Sequence, residues 1–205
     1  MIDTVLFDMD GVLIDSRESM RCAWTNVNTQ FNLNIRFTEF LEQIGKPFES
    51  ILTELEIDSQ KHSSIKAEYG RSVSQKSDMI KVYRCIPYLL RTLKLRKIKI
   101  GVVTSKEYWR ADRIVDQYVM PIDILICPEH TNEGKPSGEP ILKALTKLQS
   151  LQKNCLYIGD MESDQSSAIN AGVNYGHACW GYGMPIQGTA PVIFNYPEEI
   201  LEFIY

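Results

Sequence analysis

The sequence predicts an α/β protein with a Rossmann-like, doubly wound parallel sheet and a small all-helical domain inserted into it. Three observations carry this: short apolar, β-branched runs recur along the chain, amphipathic helical patterns alternate with them, and one long early stretch holds helical patterns only. The runs lie at 4–7, 99–104, 122–127, 155–158, 175–179 and 191–194. The first, second and fourth are apolar without strict alternation, as expected of strands covered on both faces. Alternation of strand and helix leads to parallel pairing, because each crossover needs a helix to return the chain.

Taken in order, the apolar run at 4–7 is the first strand, and it ends on "DMDG". Asp15 and Glu18 have capping-box spacing, and Met20, Ala23, Trp24, Val27 and Phe31 make one stripe, which predicts a helix. "GKPF" at 45–48 breaks the next helical patterns. Nothing convincing as a strand is found from about 16 to 84, so residues 16–84 are expected to be a helical cap, and residues 1–15 and 85–205 the α/β core. Ile86, Leu89, Leu90 and Leu93 define one core helix and Ile141, Leu142, Leu145 and Leu148 another, the latter with Pro140 in its first turn. Pro197, followed by Glu198 and Glu199, opens a closing helix with acids in its first turn.

Composition narrows the function. The 205 residues are 44% hydrophobic and 23% charged, ordinary globular values, enough for one core and a small satellite. A net charge of −4 without a basic patch argues against nucleic acid as a partner, and no stretch approaches the apolar length of a membrane span. The five cysteines are odd in number and far apart with no CxxC pair, so they are expected to be reduced core thiols. The N-terminus has no basic segment ahead of its short apolar run, so the expected location is the cytoplasm.

Polar residues at the strand ends carry the chemistry. Asp8 follows the first run, Thr104 closes the second, Asp160 follows the fourth, and Lys135 lies in the loop after the third. In an open parallel sheet these ends line one edge, where ligands bind. Asp164 sits four residues past Asp160, near the start of the next helix. Clustered carboxylates repel one another unless a cation or proton intervenes, and the absence of Cys and His from the set favours a hard ion such as Mg²⁺ over zinc. With Mg²⁺ and a phosphoryl group in place, one Asp can attack phosphorus while its neighbour two residues on handles the leaving group's proton. The Thr104 hydroxyl, the Lys135 ammonium and backbone N–H groups near Gly11 can bind the phosphoryl oxygens, and Gly11 lets the chain turn sharply beside them.

At these residues the sequence resembles the haloacid-dehalogenase-like (HAD) hydrolase superfamily, in its phosphoglycolate-phosphatase-like and beta-phosphoglucomutase-like branch with a helical cap after motif one. DxDGV stands at 8–12, the strand-end hydroxyl at Thr104, the "KP" lysine at Lys135 and GDxxxD at 159–164, all in the family's order. "GVLIDS", "KPSGEPILKAL", "SAINAGV" and "WGYG" extend the likeness across the core; the cap resembles the family in position and helical character only. The resemblance implies Asp8 as nucleophile and metal ligand, and Asp10 as acid/base, binding Mg²⁺ through its backbone carbonyl. It implies Asp160 as a direct ligand and Asp164 behind it, with Gly11, Thr104, Ser105 and Lys135 holding the substrate phosphate. It further implies a Mg²⁺-dependent phosphatase that hydrolyses a small soluble phosphate monoester through an aspartyl phosphate. A sugar-phosphate mutase of the same superfamily is the alternative, and a non-catalytic phosphate-binding or receiver-like signalling module a remote one. The partner is expected to be a small phosphorylated metabolite, and the chain a monomer by default, with a dimer possible.

Other residues read as structural. His177 is expected to be a buried strand histidine, and Gly181 and Gly183 to line the edge of the site. Lys46, Lys81 and Arg84 are expected on solvated faces.

Overall fold

A computed structural model describes residues 1–186 and 191–204. In chain order the elements are β1 (Thr4–Phe7), β2 (Ile14–Asp15), α1 (Arg17–Phe31), α2 (Phe37–Leu41), α3 (Phe48–Glu54), α4 (His62–Gln75) and β3 (Lys81–Val82). There follow α5 (Ile86–Leu95), β4 (Lys99–Val103), α6 (Tyr108–Gln117), β5 (Ile124–Ile126), α7 (Glu139–Leu148) and β6 (Cys155–Gly159). The chain closes with α8 (Glu162–Ala171), β7 (Asn174–Ala178), β8 (Val192–Phe194) and α9 (Glu199–Phe203).

Six strands form one sheet in the order β5-β4-β1-β6-β7-β8, with every neighbouring pair parallel. The chain steps outward from β1 through β4 to β5, then returns to the other side of β1 to lay down β6, β7 and β8. The winding therefore reverses beside β1, and the crevice at the carboxyl ends of β1, β4 and β6 is where such sheets bind ligands. Both faces are covered, as the apolar runs require. Val5, Phe7, Ile100 and Val102 share a core with Ile86 and Leu89 of α5, Ala111 and Ile114 of α6 and Ile200 of α9. Leu6, Val103, Cys155 and Tyr157 share the opposite one with Ile141 and Leu145 of α7 and Ala168 and Ala171 of α8.

The helices α1 to α4 enclose a third, separate apolar cluster. Trp24, Phe40, Leu52, Ile65 and Tyr69 are its buried centre. Trp24 stacks on Phe40 with ring centroids 4.2 Å apart, and its indole N–H donates to the Ile35 carbonyl at 3.1 Å, so a large ring is buried without stranding its polar atom. The predicted stripe on α1 is the packed face: Met20, Ala23, Trp24 and Val27 are buried and Phe31 packs at the margin.

Several expectations need correction. The stretch from 16 to 84 does contain a strand: β3 pairs antiparallel with β2, Ile14 opposite Val82 and Asp15 opposite Lys81. Two-residue strands leave no period to read, so no pattern in the chain announces them. The expected Asp15–Glu18 capping box does not form, because Asp15 is held in β2 and its carboxylate is taken by the Arg17 backbone N–H and guanidinium. Ser16 is the residue at the N-cap. The closing helix begins at Glu199, two residues past Pro197. Of the cysteines, Cys127 and Cys155 are buried, Cys22 and Cys85 are partly exposed and Cys179 is exposed; all five are free thiols. Only two are therefore core thiols.

Candidate active site

β1 delivers Asp8 to the sheet edge, and the Asp8 N–H extends the strand by donating to the Ile158 carbonyl at 2.8 Å. The next residues turn back sharply: the Leu13 and Ile14 N–H groups both donate to the Met9 carbonyl, and the Gly11 N–H donates to the Ile14 carbonyl. Gly11 has φ of +84°, and a Cβ there would overlap the Asp160 carboxylate. Glycine is required for both reasons, conformation and clearance.

Four of the expected site residues, Asp8, Lys135, Asp160 and Asp164, converge. Lys135 is buried and donates from Nζ to Asp8 Oδ1 at 2.8 Å and to Asp164 Oδ1 at 2.6 Å. Tyr157, on β6, donates from its hydroxyl to the same Asp164 oxygen at 2.9 Å. The other Asp164 oxygen accepts the Asp160 and Met161 N–H groups at 3.2 and 3.1 Å, so this carboxylate fastens the turn after β6. Asp160 Oδ2 accepts the Tyr182 N–H at 2.6 Å, while Asp160 Oδ1 is buried without a partner among the described residues. Carboxylate oxygens of Asp8, Asp160 and Asp164 lie within 4.8 Å of one another. Thr104 is the first residue beyond β4, and its hydroxyl accepts the Lys106 N–H at 3.2 Å. Ser105, next to it, donates its hydroxyl to the Gly45 carbonyl at 2.7 Å and so faces the inserted helices.

The electrostatics are those of acids forced together. Burial raises the Asp160 carboxyl well above its usual 3.8, and the Asp164 and Asp8 charges raise it further. Burial likewise raises Asp8, where Lys135 opposes the shift and Asp164 and Asp10 add to it. For Lys135, burial acts against the charged form, and Asp164 and Asp8 outweigh it to hold the ammonium firmly protonated. Three carboxylates against one ammonium leave two negative charges in a dry site. A divalent cation supplies that charge, an all-oxygen donor set suits a hard ion, and the orphaned Asp160 oxygen is a ligand atom awaiting one. The residues present therefore fit a magnesium-type ion.

Asp10 stands apart from this cluster. One oxygen accepts the Ser16 hydroxyl in a short hydrogen bond, and the other pairs with Lys106 Nζ at 2.9 Å. Burial would raise its carboxyl, but Lys106, the Ser16 bond and Arg110 together hold it below the usual range. The Lys106 side chain is 4% exposed. Sequence reasoning missed Lys106, and the available signal was its place two residues past the strand-end Thr104. It also missed Tyr157, which carries no motif, and the side-chain contact of Ser16, although Ser16 closes the "GVLIDS" stretch.

A cavity of about 340 Å³ opens over Asp8 and Asp10. Its core side carries Thr104, Lys106 and Arg110, and its helical side Ile44, Phe48, Ile51 and Tyr69. The 45–48 break closes on the core here. Gly45 has φ of +97° and lies so near that a Cβ would overlap the Ser163 hydroxyl; a Cβ on Gly134 would stand 3.1 Å from Pro47. As expected, Gly181 and Gly183 line the edge, where a Cβ on either would strike Asp160. His177 is buried in β7, with Nδ1 3.1 Å from the Tyr175 hydroxyl. Lys81 and Arg84 are exposed, whereas Lys46 faces the cavity and is tied to Gln43 and Glu54.

Comparison with known proteins gives one family. The chain is 27% identical over 203 residues to the phosphoglycolate phosphatase of Aquifex aeolicus, covering 98% of this chain and 95% of that one. It is 26% identical over 214 residues to the N-acetylmuramic acid 6-phosphate phosphatase of Pseudomonas aeruginosa, with 99% and 95% covered. The solved structure of a haloacid dehalogenase-like family hydrolase from Streptococcus pneumoniae superposes with a TM-score of 0.86 at 21% identity, over 100% of this chain and 99% of the other. The family model for haloacid dehalogenase-like hydrolases matches residues 5–178, which span every residue of the carboxylate cluster and its lysine, and the chain belongs to that family.

Proposed function

We propose that this hydrolase is a Mg²⁺-dependent phosphatase that cleaves a small soluble phosphate monoester through an aspartyl phosphate on Asp8. The observation that carries the reading is the Lys135 ammonium shared between Asp8 and Asp164, beside a third carboxylate with an unpartnered oxygen. Relatives named as phosphatases of phosphoglycolate and of N-acetylmuramic acid 6-phosphate support it.

In this reading Asp8, Asp160 and the Asp10 backbone carbonyl would hold the ion, with Asp164 behind them. The ion, when bound, neutralises the clustered carboxylates and the phosphoryl oxygens. Lys135 fixes the Asp8 carboxylate by one oxygen, so the other is left to attack phosphorus. Asp10, a carboxylate in the free enzyme, takes up a proton as the phosphate ester binds beside it; the P–O bond to the alcohol then breaks, and the leaving oxygen takes that proton. Asp10, now a carboxylate steadied by Lys106 and Ser16, removes a proton from water. The hydroxide attacks the acyl phosphate, releases inorganic phosphate and restores Asp8. Thr104, Ser105, Lys135 and the backbone near Gly11 carry the phosphoryl charge. Residues 16–84 act as the cap that keeps bulk water from the intermediate, and 1–15 with 85–205 as the catalytic core.

Phosphate release from a panel of small esters tests this. Release is expected with Mg²⁺, and is lost with chelator and in Asp8→Asn. Full turnover by Asp8→Asn would exclude the covalent route, and isomerised sugar phosphate without free phosphate would turn the reading to a mutase.

A further inference from the structure

Of the two cations nearest Asp10, Lys106 already steadies that carboxylate, and Arg110 holds no reacting group in the phosphoryl transfer set out above. Lys106 is buried against Asp10. One helical turn on, the Arg110 side chain in α6 is only 13% exposed, yet its guanidinium makes no hydrogen bond among the described residues. Its nearest carboxylate, Glu107, stands 3.9 Å away, beyond hydrogen-bond range. Its guanidinium opens onto the cavity rather than being sealed in the interior, so its N–H donors stand where an acceptor that arrives with a ligand would meet them.

A third polar group faces them from the inserted helices. The Tyr69 hydroxyl makes no hydrogen bond among the described residues; burial pushes its ionisation up, and Arg110 is near enough to oppose that. Around it the helical wall is apolar, through Ile44, Phe48 and Ile51. The remaining cavity lysines are engaged or wet: Lys46 is bonded to Gln43 and Glu54, and Lys66 lies 4.0 Å from Glu49 at 45% exposure. A largely apolar pocket with a few converging polar groups has the form of a specificity site.

Position says which part of a substrate meets them. The phosphoryl group belongs with Asp8, Thr104 and Lys135, while Asp10 marks the leaving oxygen. Lys106 touches Asp10, and the charge of Arg110 reaches it. We propose that Lys106, Arg110 and the Tyr69 hydroxyl form a subsite for a second acidic group on the leaving group. The preferred substrates are then phosphate compounds whose leaving group itself carries a carboxylate or phosphate. The planar guanidinium suits either oxyanion through two parallel hydrogen bonds. This inference rests on the phosphatase reading above.

The test compares kcat/KM for 2-hydroxyethyl phosphate, 2-phosphoglycolate and inorganic pyrophosphate, which present a hydroxyl, a carboxylate and a phosphate on leaving groups of small size. Wild type is expected to favour at least one acidic compound by roughly tenfold or more over the neutral one, and which one distinguishes carboxylate from phosphate. Arg110→Gln should lose about tenfold on that compound, mainly through KM, and at least about fivefold more than it loses on the neutral ester. Arg110→Lys should recover part of the loss and Tyr69→Phe should show a smaller loss of the same kind. Calorimetry on Asp8→Asn with and without Arg110→Gln reads the subsite without turnover, and the acidic compound should bind about tenfold more weakly to the double variant. Equal losses on acidic and neutral compounds, no loss on either, or a wild-type preference for the neutral ester would overturn the subsite while leaving the phosphatase reading intact. No turnover of any ester by wild type would overturn both.

Discussion

Asp160→Asn is expected to abolish phosphate release and yet stabilise the metal-free protein. Asp160 is wholly buried, one of its oxygens has no partner among the described residues, and its neighbours Asp8 and Asp164 place carboxylate oxygens within 4.8 Å. At that separation and an effective dielectric of 20, each like-charge pair costs about 3.5 kcal/mol. Lys135 offsets an amount of the same order, so removing the Asp160 charge should return about 3 kcal/mol. The amide is nearly the same size, and its oxygen can still accept the Tyr182 N–H. For a chain of this length that gain corresponds to a rise in Tm of about 6–12 °C. Thermal melts in chelator and in millimolar Mg²⁺ read it directly. Wild type should gain about 3 kcal/mol from Mg²⁺ at a hundredfold excess over its dissociation constant, and Asp160→Asn little. A variant less stable than wild type in chelator, or one that gains as much from Mg²⁺, would refute the charge reasoning.

The same repulsion fixes a pH dependence. Asp160 and Asp8 have folded-state values above their unfolded 3.8, so they bind protons more tightly when folded; their contribution is greatest in acid and is lost as pH rises through the folded values. Metal-free protein should therefore melt higher near pH 5.5 than near pH 8, and Mg²⁺ should flatten that difference. Asp10, held low, contributes in the opposite sense, its share being lost only as pH falls below 3.8 toward its folded value. Gly11→Ala must place a side chain at φ of +84° and against Asp160; a loss of about 1–3 kcal/mol in chemical denaturation is expected, with kcat/KM down roughly a hundredfold. Trp24→Ala opens the centre of the helical cluster and should cost about 3–5 kcal/mol by urea denaturation; a cost under about 1 kcal/mol would mean that the stacked Trp24–Phe40 pair does not hold that cluster together.

How much of this could be read from the chain follows from how local each signal is. β1 is found over 4–7 as the run predicts, and Asp8, Thr104, Lys135 and Asp160 each follow a strand, so strand ends located the residues and the parallel topology brought them together. What escaped comes from ordinary residues whose partners no local pattern reveals. Tyr182 reaches Asp160 across 22 positions, Tyr157 steadies a lysine from inside a strand that looks wholly apolar, and Ser16 touches Asp10 from a helix cap. The missed β2–β3 pair has the same origin: it spans 66 positions between Asp15 and Lys81, and two residues per strand cannot display a period. That pair lies where the chain leaves the sheet for the inserted helices and where it returns. It sets the two crossings side by side, next to Ser16 and hence next to Asp10. A site assembled at strand ends thus shows much of itself in the sequence, because Asp8, Thr104 and Asp160 each stand first past a strand. Its tuning groups have no such constraint, since any element that packs against the cleft can supply them.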